Sequence, residues 1–220
     1  MAGTITRLVV QKHNPERVSV YLDDEFAFGV DILAAAGLRK GQALDDAAIA
    51  TLRADDDRHR AYLAAVRLLG LRPRSREEIE RALRTKQYEE AVIEAAIERL
   101  VAEGLIDDAE FARFWSENRT TFRPRGTRAL RYELRQKGVA NEDMEDALAA
   151  VDEDEAAFAA VERKAEAWRN LPEDEFKQKV LNFLARRGFG YATARGVLQR
   201  LREDMDDAAA LNEWEQDEEA

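Results

Sequence analysis

From Arg72 onward, apolar residues recur at helical spacing, and the same set returns twice. Leu83 is followed by Ile93, Ile97 and Leu100; Leu134 is followed at the same offsets by Met144, Leu148 and Val151; Leu184 by Ala194, Leu198 and Leu201. Ile79, Leu130 and Val180 each stand four residues before their leucine, and Lys86, Lys137 and Arg187 three after it. The leucines are 51 and then 50 residues apart. A fixed period of this size predicts tandem helical units that complete one another's cores. Lead-in helices with faces Ala61–Tyr62–Ala65–Val66, Phe111–Ala112–Trp115 and Phe158–Val161–Ala165–Trp168 precede the three leucine helices.

The punctuation agrees. Ser75 with Glu78 forms a capping box. Asp107-Asp108 and Asp152 with Glu155 supply further acidic helix starts. Gly104, Gly138 and Gly188 are placed as left-handed helix stops, and Pro172 suits a first helical turn.

Upstream of the repeat the period changes. Ile5–Val10, Val18–Leu22 and Phe26–Val30 are short β-branched or aromatic runs separated by Asn14-Pro15 and Asp23-Asp24-Glu25, which predicts three strands. A short helix from Asp31 to Ala36 and another from Asp45 to Leu52 would cover the sheet, with Asp55–Arg58 opening a separate helix. The fold class is therefore mainly α: three tandem three-helix, helix-turn-helix-like modules in an elongated array, preceded by a small N-terminal β-sheet plus helix cap. The expected boundaries are 1–54 for the cap, 55–104, 105–151 and 152–203 for the modules, and 204–220 for an acidic, disordered tail in which Leu211 and Trp214 are candidate docking residues.

Composition narrows the function. No run approaches the ~20 apolar residues of a transmembrane helix, and the N-terminus lacks a signal peptide's apolar core, so a cytoplasmic protein is expected. With no cysteine in 220 residues there is no thiolate nucleophile or zinc-thiolate site. His13 and His59 are far apart, and Gly188 and Gly190 lack the third glycine of a phosphate-binding loop. No catalytic residues, cofactor or metal are expected, and the chain does not read as an enzyme.

The net charge of −11 hides segregation. Residues 119–137 hold seven Lys/Arg and one acid, residues 139–176 thirteen acids and three bases, residues 177–202 seven bases and no acid, and residues 203–220 nine acids and no base. Basic surfaces on an acidic body suit carboxylates of a protein partner or phosphates of nucleic acid. The candidate contact residues are Arg123, Arg125, Arg128, Arg131, Arg135 and Lys137 in the second module, and Lys179, Arg186, Arg187, Arg195 and Arg202 in the third. Arg128, Arg131 and Arg135 share one helix face. Few Asn, Gln or Ser are interspersed, which disfavours sequence-specific base reading.

The segments EGLIDDAEFARFWSENR and RPRGTRALRYELRQKGV closely resemble the RecX family of recombination regulators, and ITRLVVQKHNPERVSVYLDDEFAFGV is similar to an N-terminal extension found in some members. The resemblance spans Thr4 to about Arg202. It implies a protein that binds the RecA recombinase filament and inhibits strand exchange and ATP hydrolysis in DNA repair and the SOS response; a monomer is expected. A module array that acts directly on single- or double-stranded DNA is the alternative.

Overall fold

The computed structural model describes residues 2–218, with side chains through Asp207. The chain forms two compact units, Met1–Asp107 and Asp108–Ala220.

The first unit begins with a four-stranded antiparallel sheet of order β3-β2-β1-β4, made of β1 (Gly3–Gln11), β2 (Asn14–Leu22), β3 (Glu25–Asp31) and β4 (Ala43–Leu44). The period-2 pattern sends Val18, Val20, Leu22, Phe28 and Val30 to one face, where they pack with Ala35 and Ile49. The two-residue hairpin turn holds Asp23 and Asp24 at φ 47° and 71°, the left-handed geometry that matches strand twist. The two-residue β4 carries too little pattern to be legible in the sequence.

Helix α1 (Ile32–Ala35) is capped by the Asp31 side chain. Helix α2 (Asp46–Leu69) corrects the expected break near Ala54: it runs unbroken through the whole stretch. No glycine or proline interrupts residues 53–58, and their charges have specific partners. Asp56 is buried and accepts both terminal nitrogens of Arg17, at 3.0 and 2.8 Å, while Arg17 also donates to the Gly29 carbonyl. Gly29 permits this: a Cβ there would stand 3.3 Å from the guanidinium.

The three three-helix modules are present. The first comprises the C-terminal half of α2, α3 (Arg76–Thr85) and α4 (Glu90–Ala102); the second α5 (Asp108–Phe122), α6 (Thr127–Gln136) and α7 (Asn141–Ala149); the third α8 (Glu153–Trp168), α9 (Glu173–Arg186) and α10 (Tyr191–Glu218). Leu83, Leu134 and Leu184 are fully buried, as are Ile79, Leu130 and Val180. Val151 alone among the later repeat positions is only partly buried. Each leucine carbonyl accepts the N–H five residues on, from Tyr88 (3.3 Å), Val139 (3.1 Å) and Phe189 (3.1 Å). The intervening residue is left-handed each time: Gln87 (φ 65°), Gly138 (φ 78°) and Gly188 (φ 86°).

Helix α10 continues to Glu218 through the stretch that its acidity marked as disordered; Ala, Leu and Glu there are good helix formers. Leu211 and Trp214, the candidate docking residues, lie outside the described side chains.

The second and third modules meet at bare backbone. Gly126 N–H donates to the Arg187 carbonyl at 3.1 Å, and a Cβ on Gly126 would stand 2.3 Å from the Gly188 oxygen. Helix α6 has no capping side chain of its own. Glu153 supplies one, accepting from the Thr127 N–H (2.7 Å) and hydroxyl (2.9 Å).

Three stability outcomes follow from this packing. Leu134→Ala is expected to cost about 2–5 kcal/mol as a large-to-small core change, measured by denaturant unfolding; a midpoint that hardly moves would remove Leu134 from the core. Gly126→Ala is expected to cost about 1–3 kcal/mol by overpacking, whereas Gly190→Ala, which faces open space, should be close to neutral; equal effects would contradict the close approach. The Ser116 hydroxyl is buried without a hydrogen-bond partner, so Ser116→Ala is expected to raise stability by about 1 kcal/mol, and a loss would reveal a bond the hydroxyl makes.

Candidate basic interface of the second and third modules

Glu133 on α6 collects one set of groups. Its carboxylate accepts the Trp115 indole N–H (2.9 Å) and Arg119 (2.7 Å), and Arg125 approaches its other oxygen at 3.1 Å. Lys137 lies 4.1 Å from the Trp115 ring centroid. Arg125 and Lys137, candidate contact residues by their charge, thus help to pack α5 on α6.

The predicted triad on α6 does not behave as a unit. Arg131 makes a two-pronged bond to Glu145 of α7, and that bond holds the Glu145 carboxyl below the usual carboxylate range. Arg135 donates to the Asn141 side chain at 3.1 Å. Of the three, only Arg128 is exposed without a side-chain partner among the described residues. The physical reason is that α7 brings its own polar side chains against the i+3 and i+7 positions of α6.

In the third module Lys179 pairs with Glu175 at 3.6 Å and Arg202 with Glu173 at 2.7 Å. Arg187 turns back to the Pro124 carbonyl (3.3 Å) and over the Phe183 ring, so it serves the module junction. Arg200, absent from the sequence-derived set, pairs with Glu155 and covers Phe158.

Four of the predicted cations, Arg123, Arg128, Arg186 and Arg195, are exposed with neither a carboxylate nor another hydrogen-bond acceptor among the described residues. The sequence reading missed what accompanies them. Phe122, Tyr132 and Tyr191 are 74, 65 and 68 % exposed, and Arg195 lies 5.9 Å from the Tyr191 ring. The repeat offsets held the signal. Tyr191 takes the position of Glu90 and Asn141, and Arg195 that of Glu94 and Glu145. The third module has therefore exchanged polar or acidic groups for an aromatic and a cation. Exposed ion pairs contribute only about 0–1 kcal/mol, so the paired arginines at this surface can exchange a local carboxylate for one on a partner.

Among the described residues no group of His, Asp or Glu could hold a metal ion, and no helix is long and apolar enough to cross a membrane.

The comparisons with known proteins follow the same modular division. The family model of the regulatory protein RecX N-terminal domain matches residues 3–45, and those of the first, second and third RecX three-helix domains match residues 61–100, 107–148 and 152–198. A regulatory protein RecX of Bacillus cytotoxicus is 30% identical over 94% of this chain and 80% of its own length. One from Clostridium perfringens is 30% identical over 90% of this chain and 96% of its own. A crystal structure of regulatory protein RecX superposes with a TM-score of 0.73 at 27% identity, covering 90% of this chain and 99% of that one. RecX from Lactobacillus salivarius gives a TM-score of 0.62 at 26% identity, over 67% and 98% of the respective chains. With four domain models matched in order and relatives aligned over most of its length, the chain belongs to the RecX family.

Proposed function

We propose that this chain is a regulatory protein of the RecX type that binds the RecA filament and restrains its strand exchange and ATP hydrolysis, in DNA repair and the SOS response. The observation that supports the reading is the set of unneutralised arginines, Arg123, Arg128, Arg186 and Arg195, held on modules joined through Gly126 and Gly188. A junction fixed by backbone contact presents separate charges in a set geometry. Linked weak contacts of that kind add up through effective concentration. Nothing in the arrangement needs a cofactor, and the protein would act as a monomer in the cytoplasm, where the filament is.

The second reading is direct binding to single- or double-stranded DNA. It is favoured by Phe122, Tyr132 and Tyr191, since exposed rings beside arginines suit stacked bases as well as carboxylates.

Single-stranded-DNA-stimulated RecA ATPase, titrated with this protein at two salt concentrations, separates the readings. Joint reversal of Arg128, Arg186 and Arg195 to Glu is expected to raise the half-inhibitory concentration roughly 100-fold, at about 1 kcal/mol per exposed contact, with helicity unchanged. Unaltered inhibition would take these arginines out of the interface. Inhibition that tracks affinity for free DNA, and falls log-linearly with salt, would favour the DNA reading.

A further inference from the structure

The first unit carries a second surface that the arginine interface does not use. Helices α1 and α2 cover one face of the sheet, with Ala35 and Ile49 over Val20, Phe28 and Val30. On the opposite face the strand register lines up Arg7, Tyr21 and Phe26 in one row and Val9, Ser19 and Gly29 in the next. The first row is a run of stacked groups. The Arg7 guanidinium lies 4.2 Å from the Tyr21 ring centroid, and Tyr21 meets Phe26 edge-on at 5.9 Å and 75°. Phe26 is 61 % exposed and Val9 44 %. The second row is lined by polar groups: a Cβ on Gly29 would stand 3.0 Å from the Gln11 amide and 3.3 Å from the Arg17 guanidinium, and Ser19 is short. Gln11 bounds it, donating to the Ser19 hydroxyl at 3.2 Å.

We propose that this bare face of the sheet is a stacking platform for single-stranded nucleic acid. The edge-on Tyr21 contact leaves a face of the Phe26 ring free for a base. Beside it the Ser19 hydroxyl and Gln11 amide line the face and can turn to a base edge. Arg7 is exposed without a carboxylate among the described residues, and Lys12 lies exposed at the β1–β2 turn; both suit phosphates. Asp23, Asp24 and Glu25 make the opposite end acidic, so a strand would run from Phe26 toward Lys12, with Glu16 partly offsetting that end. A duplex keeps its bases paired and offers this platform nothing to stack. An aliphatic protein partner would leave the Gln11, Ser19 and Arg7 groups desolvated without partners. The platform is independent of the filament reading, since none of its residues belongs to the second unit.

The test is fluorescence anisotropy of the full chain with labelled oligo-dT and oligo-U, in the Arg128, Arg186 and Arg195 to Glu background so that the second unit contributes little. With only Arg7 and Lys12 at phosphates, affinity should fall shallowly with salt, at a log–log slope of about −1.4. Phe26→Ala is expected to weaken binding about tenfold or more without changing that slope, and Phe26→Tyr to retain it. Equal binding of dT and U supports the proposal as a base platform; preference for U supports it with added contacts to the 2′-hydroxyl. Absence of binding to both oligomers would overturn it, as would native affinity in Phe26→Ala. Rescue by Phe26→Leu would also overturn it, since apolar bulk rather than ring stacking would then be the contact. So would a Phe26→Ala effect confined to inhibition of RecA, which would make the face a protein contact.

Discussion

Each module turns on one backbone hydrogen bond, from the residue after a left-handed turn to the carbonyl of a buried leucine. That bond closes the second helix and sends the chain back, so the third helix lays its apolar stripe against the same leucine. Without it the two helices would bury different faces, and neither is long enough to persist alone. The left-handed residue is the costly part. Glycine takes the position at Gly138 and Gly188, whereas Gln87 holds it in the first module at a strain of about 1 kcal/mol. The turn geometry is thus kept even where the residue does not favour it, because the core around Leu83, Ile93 and Ile97 requires it.

On that common scaffold the surface chemistry changes from module to module. The first module closes its turn with an ion pair, Arg84 to Glu90 at 2.7 Å, which holds the Glu90 carboxyl below its usual range. The second uses Arg135 to Asn141 at the same two positions. In the third these are Ala185 and Tyr191, with no pair possible. A repeat position that holds the acid of an internal ion pair in one module, Glu145 with Arg131, therefore holds an open cation, Arg195, in another. This is why Arg195 stands exposed without a carboxylate while Arg131 is engaged.

In the first unit a single helix serves two cores. The start of α2 packs Ile49 under the sheet, and its later turns place Ala61 and Ala65 in the first module. The Arg17–Asp56 pair sits between them and crosses bare Gly29 to do so. A buried pair of this kind adds little net stability. It ties α2 to β2 and β3, through Arg17 and the Gly29 carbonyl.

The sequence alone determined the three modules, their order after a small sheet, and the buried leucine of each, because helical and strand periodicities are local and the repeat measures itself. The glycine stops were legible for the same reason. Tertiary structure decided what periodicity cannot carry: the continuity of α2 through a charged stretch, the β4 pairing, the contact of Gly126 with Gly188, and the division of arginines into engaged and open. Each depends on a partner distant along the chain, such as Asp56 for Arg17, Glu145 for Arg131 or Glu153 for Thr127. Charge can be counted along a sequence, but whether it is neutralised depends on which helix packs beside it.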